Sequence, residues 1–186
     1  MKIDIFSHIL PQRYKEALYE AAPPGFYLKD VIESLPTLFD LDHRFRIMDK
    51  FEGLMQVLTL SSPPVEHIAD AKKAAELSSL ANDEMAELVM KYPDKFPAAV
   101  ACLPMNDMDA ALKEADRAIN DLKFRGVQVF TPTNDKPLDL SEFMPLYEKM
   151  EQYNLPIWIH PERAVDYPDY RTESRSRFMI FSNFGW

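Results

Sequence analysis

Cysteine is nearly absent: Cys102 is the one thiol in a chain of 186 residues, so no disulfide framework braces the fold. It sits in the apolar run AAVACLP, where it reads as a small buried hydrophobe, and a reducing cytosol is the expected compartment. Also lacking is any stretch near the roughly 18 apolar residues of a membrane span, or a basic leader running into an apolar segment. The chain is therefore read as soluble and cytoplasmic, with no membrane partner. Cations are scarce and scattered. With 21 Lys and Arg against 30 Asp and Glu, the formal charge is -9, and the absence of a basic stripe argues against nucleic acid as a partner. The one gathering, YRTESRSRF with Arg171, Arg175 and Arg177, reads as a solvated loop or helix face. Repeats, low-complexity tracts and linkers are missing too, so residues 1–186 are taken as a single domain.

Apolar residues make up 47% of the chain, enough for a real core at this length. Five strand-length runs, KIDIFSH, LMQVLTLSS, PAAVACLP, GVQVFTP and LPIWIHP, are rich in β-branched or apolar residues and bounded by turn residues. Segments with helical spacing lie between them. In the longest, Ile68, Ala71, Ala75, Leu80, Met85, Leu88 and Val89 are expected on one face. In the next, Leu112, Ala115, Ile119 and Leu122 form the stripe, with aspartates at the start and Gly126 beyond the end. Ser141 is the expected N-cap of the last, whose stripe is Phe143, Tyr147 and Met150; Pro145 falls in its first turn and Asn154 stops it. Strand and helix thus alternate, predicting an α/β fold with a parallel sheet. The first crossover is irregular: AAPPGFYLKDVIESLPTLFDLDHRFRIMDKFEG reads as an inserted loop before a short helix carrying Met48 and Phe51, and such insertions often cover a site.

In parallel α/β sheets the site lies at the carboxyl ends of the strands. His8 ends the first run and His160 the fifth. Two imidazoles at one end of a barrel can share a metal; the alternative for each is a hydrogen bond to nearby backbone. Period-two alternation puts Asp4, Phe6 and His8 on one side of the first strand. Asp4 either orients an imidazole or is satisfied by backbone amides. His43 and His67 have no partner at ligand spacing and are read as structural. Arg163 suits a substrate carboxylate, its planar fork matching that group, or else pairs with Glu162 or Asp166 on the surface. The same two options stand for Arg44 and Arg46. Trp158 and Trp186 are candidates for an apolar wall, Trp158 alternatively for the barrel interior.

The segments KIDIFSHILP, RFRIMDKFEGLMQVL, YPDKFPAAVACLPM, LKFRGVQVFT and LPIWIHP resemble, in order, successive signatures of the amidohydrolase-related family, in the branch with aminocarboxymuconate-semialdehyde decarboxylase and the dihydroxybenzoate decarboxylases. The resemblance runs from Met1 to about His160. It implies a (β/α)8 TIM barrel with a divalent metal, zinc or manganese. In the family pattern the metal is held by an HxH pair ending strand one, a histidine ending strand five and an aspartate ending strand eight, and a strand-six histidine serves as acid or base. Carried over onto this chain, His8 and His160 are metal ligands. Phe6 stands where the pattern has its first histidine, and a phenyl ring has no lone pair to offer. Phe6 and Arg163 are assigned to substrate binding.

A barrel of this kind takes about 250 residues, so about the first five βα units are expected here, and the chain is expected to be part of a longer polypeptide. The activity the resemblance implies is that of a metal-dependent decarboxylase or hydrolase, carbon–carbon lyase favoured, acting on a small cyclic or unsaturated carboxylic acid. The alternatives are a metal-depleted ligand-binding or regulatory homologue, or an inactive fragment. Homodimerisation is left open.

Overall fold

A computed structural model describes residues 1–26, 28–134 and 136–161. Strand β1 (Lys2–Ile9) leads into helices α1 (Gln12–Ala21), α2 (Leu28–Glu33) and α3 (Leu41–Met48) before β2 (Leu54–Leu60). Then follow α4 (Ala71–Lys91), the two-residue strands β3 (Ala98–Ala99) and β4 (Ala101–Cys102), α5 (Met108–Asn120), β5 (Val127–Thr131), α6 (Met144–Tyr153) and β6 (Ile157–Pro161).

Among the described residues the strands pair only in parallel, in the orders β1-β2-β3 and β4-β5-β6. The expected third strand is broken at Val100, and the break is a change of partner. The Val100 amide donates to Leu58 O on β2 at 2.9 Å, while Ala101 N donates to Gly126 O beside β5 at 3.0 Å. The two sheets are thus one run of strands in chain order, jogged at Val100. Asn82 on α4 stands in for a ladder partner there: its amide nitrogen donates to Cys102 O and its oxygen accepts from Cys102 N, both at 2.9 Å. A break in a buried strand would otherwise leave backbone groups unpaired.

The sheet curls until its first and last described strands meet on the inner side, where the Trp158 indole N–H donates to Ile5 O at 2.8 Å. Trp158 is thus an interior residue. Gly126 sits beneath it: a Cβ there would lie 2.5 Å from both Pro156 O and the Trp158 ring. That close approach, rather than a helix cap, is why the residue is glycine. Helix α5 ends earlier, at Asn120, with Lys123 taking the left-handed turn at φ 62°.

The helices pack on the outer side in chain order, α1 on α4, α4 on α5, α5 on α6. Their buried faces are smaller than the large apolar residues suggested. In α4 the buried set is Ala74, Leu77, Ser78, Ala81, Asn82, Glu84, Met85 and Ala86, sharing Met85 with the expected stripe. In α5 it is Ala111, Glu114, Ala115 and Ala118. Alanines let helix backbones approach sheet and neighbour closely, and the larger Leu112 and Ile119 pack at the margin. Asp107 and Asp70 cap α5 and α4 through their side chains. Ser141 opens a single 3-10 turn ahead of α6, which ends at Asn154 in the left-handed conformation, φ 51°.

The first crossover is more ordered than a loop, and α1 was not expected. Tyr14, Leu18, Leu28 and Ile32 are buried in the core, each such side chain contributing about 1.5–3 kcal/mol. Met48 is buried as expected, whereas Phe51 lies past the end of α3 and is exposed. Pro11 gives the α1 N-terminus no side-chain cap; buried Glu84 supplies one from α4, accepting from Arg13 N at 3.1 Å and Tyr14 N at 2.6 Å. Glu84→Ala leaves those amides unanswered and is expected to cost about 2 kcal/mol in urea unfolding, with Glu84→Gln, which keeps an acceptor, costing less. Equal stabilities of both variants with wild type would show that the cap contributes nothing.

Candidate functional site

A register slip in β1 shapes the inner face. Lys2, Ile3 and Asp4 pair with Leu54, Met55 and Gln56, but Ser7, His8 and Ile9 pair with Leu58, Thr59 and Leu60, so β1 spends one extra residue between Asp4 and Ser7. Such a bulge breaks the strict alternation expected for Asp4, Phe6 and His8. Its orphaned backbone groups are answered by side chains. Phe6 N donates to Asp4 Oδ1 at 3.1 Å, and Ile5 O accepts the Trp158 indole. Asp4 also accepts from Ser7 Oγ at 2.5 Å, so of its two expected roles the bulge-satisfying one is what the geometry gives. Burial works to raise the Asp4 pKa, but the Ser7 hydroxyl, the Phe6 amide, the Gln56 side chain and the Arg44 charge outweigh it, and the net direction is down.

Beyond the bulge three rings converge. The His8 and His160 centroids are 5.0 Å apart, and Phe6 stands 5.1 Å from His8 and 5.9 Å from His160, edge-on to both. Phe130, the register partner of His160, packs on it at 4.7 Å. Below this layer Gln128 and Trp158 pair in register on the same face, and the Gln128 amide donates across to Leu60 O at 2.9 Å. His8 Nδ1 is engaged by Thr59 Oγ1 at 3.0 Å, which leaves Nε2 as the nitrogen for any ligand. Burial, then the His160 and Arg44 charges, push the His8 pKa down to about 4, so its ring is neutral at pH 7 and keeps a lone pair.

The structure thus brings together His8, His160 and Phe6, as expected. Arg163 lies outside the described residues, as do Arg171, Arg175, Arg177 and Trp186. Arg44 fits neither role foreseen for it: it is 5% exposed and spends its donors on Gln56 Oε1, His8 O and Thr37 O. Arg46 is an exposed residue of the last turn of α3. His43 supplies the amide that Asp40 caps, and His67 ends a 3-10 turn between β2 and α4. Thr59 and Phe130 were overlooked. Both stand in the strand-end register of a candidate histidine, a signal legible once the strands are aligned.

The donor chemistry suits a divalent metal in part. With metal–nitrogen bonds of about 2.1 Å, two imidazoles on one ion have centroids roughly 4.6–5.3 Å apart, and 5.0 Å lies in that range. A polar group on the far ring nitrogen, usually a carboxylate, a carbonyl or water, supports such a ligand, and the Thr59 hydroxyl takes that place at His8. Yet catalytic sites draw about three protein donors, Phe6 offers none, and no group of three or more His, Cys, Asp or Glu at ligating distance occurs among the described residues.

Comparison with known proteins shows the family. A gamma-resorcylate decarboxylase of Rhizobium radiobacter is 38% identical over 148 residues, 76% of this chain and 44% of the relative. A 2-amino-3-carboxymuconate-6-semialdehyde decarboxylase of Dictyostelium discoideum is 26% identical over 180 residues, 89% of this chain and 50% of its own length. Among solved structures, a 2,6-dihydroxybenzoate decarboxylase complexed with 2,6-dihydroxybenzoate superposes with a TM-score of 0.71 at 33% identity, covering 89% of this chain and 52% of that one. A dihydroxybenzoic acid decarboxylase of Polaromonas, with bound manganese and the inhibitor 2-nitroresorcinol, also gives 0.71, at 30% identity over 89% of this chain and 50% of its own. The chain spans about half the length of the relatives it matches, which accounts for five strand positions of an eight-stranded barrel. The family profile described as Amidohydrolase matches residues 3–181, and by that match the chain belongs to the amidohydrolase family.

Proposed function

We propose that the whole protein is a metal-dependent carboxy-lyase that removes carbon dioxide from a small hydroxylated aromatic or unsaturated carboxylic acid, in a cytoplasmic setting and without nucleic acid or membrane as partner. The observation that carries this is the facing pair of imidazoles, His8 and His160 at 5.0 Å, at the carboxyl ends of parallel strands in a chain whose relatives are decarboxylases of such acids. His8 and His160 would hold the ion, manganese or zinc, with further donors from the rest of the protein. When bound, a divalent ion polarises carboxylate and hydroxyl oxygens and stabilises the charge that develops as the carbon–carbon bond breaks.

The described side chains prepare that setting. Thr59 holds the tilt of the His8 ring through its contact with Nδ1. Phe130 packs against His160 and shields its ring from water. Phe6, 37% exposed at the mouth, offers an edge and a face to a flat substrate ring, a contact worth about 0.5–1.5 kcal/mol beyond area burial.

The missing third donor at Phe6 favours a second reading, a barrel that binds aromatic acids without turnover. One experiment separates them: metal analysis of the whole protein together with carbon dioxide release from 2,6-dihydroxybenzoate. Near one equivalent of manganese or zinc and metal-dependent release are expected. Metal-free protein that binds the acid unchanged would overturn the lyase.

A further inference from the structure

The backbone on which the rings of Phe6 and His8 are carried is tied to one buried cation. The Arg44 guanidinium donates from Nη1 to His8 O at 2.7 Å and to Thr37 O at 3.1 Å, and from Nε to Gln56 Oε1 at 2.8 Å. Gln56 is the register partner of Asp4, and its side chain helps to keep the Asp4 carboxyl charged; that carboxylate holds the Phe6 amide and the Ser7 hydroxyl across the bulge. Gln56 is also the last β2 residue in register with β1 before the slip. Arg44 Cζ lies 5.6 Å from the centroid of the Phe96 ring, so the cation is enclosed on the side away from the strand end.

We propose that Arg44 is a positioning residue of this site: its fork clamps the His8 carbonyl and, through Gln56 and Asp4, the β1 bulge, and so sets the direction of the His8 imidazole. The proposal rests on the functional reading above for the purpose of that imidazole, though not for its geometry. A guanidinium is suited to the task because it presents donors in a rigid plane to several carbonyls at once, whereas a lysine ammonium is a single point on a flexible stem. The bond to Thr37 O extends the clamp to the first crossover, so that segment and the histidine share one anchor.

The test uses the whole protein and two readouts. In metal-free protein, the ring nitrogen signals of His8 in 15N-histidine-labelled spectra, assigned with His8→Gln, report the ring's direction. Manganese titration followed by electron paramagnetic resonance reports affinity. Arg44→Lys, which keeps the charge, is expected to move the His8 signals and to weaken manganese binding roughly 10- to 100-fold, the range for groups that orient a ligand. Gln56→Leu, which cuts one arm of the clamp, is expected to do both to a smaller degree. Folded Arg44→Lys protein with unmoved His8 signals would overturn the proposal. If Arg44→Lys fails to fold, unmoved signals in Gln56→Leu do the same. Wild-type protein that takes up no manganese counts against the lyase alone, because the metal-free spectra still decide the role of Arg44.

Discussion

Replacing His160 by alanine in the whole protein is expected to lower manganese or zinc affinity at least about 100-fold, and metal-dependent carbon dioxide release with it. Groups that merely orient a ligand are worth 10- to 100-fold, and His160 is itself one of two imidazole donors among the described residues that face each other at the strand ends. Its ring is also a packing element, 8% exposed and stacked on Phe130 at 4.7 Å, so truncation opens space as well as removing a nitrogen. Phe130→Leu separates the two effects: it disturbs the same stack and keeps the donor. Equilibrium dialysis should place Phe130→Leu near wild type and His160→Ala far below it. Equal affinities in all three would mean that the ion, if bound, sits elsewhere.

Phe6→His should act in the opposite direction. The Phe6 ring completes a triangle with His8 and His160 whose sides are 5.0, 5.1 and 5.9 Å, so an imidazole placed there stands at donor spacing from His8 and, after a small shift toward His160, at the spacing of a third donor. Going from two to three protein nitrogens is expected to raise affinity by roughly 100-fold, since three donors are what a catalytic zinc site ordinarily holds. Turnover need not follow affinity, because the ring that touches a flat substrate is lost in the same substitution. A tighter manganese titration with slower carbon dioxide release is therefore the expected pair of results, and an unchanged titration would show that the bulge aims position 6 away from the ion.

What could be read from the sequence, and what could not, divides along a physical line. The five strand runs, their parallel order and the strand-end positions of His8 and His160 follow from period-two patterning and crossover length, which are local properties. The bulge was hidden because nothing in IDIFSH announces an extra residue; it exists in relation to β2, where Gln56 and Leu58 fix the register. Helix faces were misjudged for a related reason. Large apolar side chains attract attention, but Ala74, Ala81, Ala111, Ala115 and Ala118 are all at 0% exposure, since close helix approach favours small residues. Helix α1 escaped notice because Pro11 gives it no cap of its own and Glu84, 70 residues from Tyr14, supplies one. Arg44 was placed by the same kind of distant partner: its carbonyl acceptors are scattered from His8 to Thr37, and a charged residue in RFRIM looks solvent-facing until they are assembled around it.

The Trp158 indole and the Ile5 carbonyl that it holds are 153 positions apart. Closing a loop of that length costs chain entropy that only the intervening contacts can offset, and contacts of such separation are slow to form. During synthesis each strand–helix unit can dock on its predecessor as it leaves the ribosome, yet His8 waits without its partner until the strand that carries His160 has been translated. The pairing of the two imidazoles is therefore late among the contacts of the described strands.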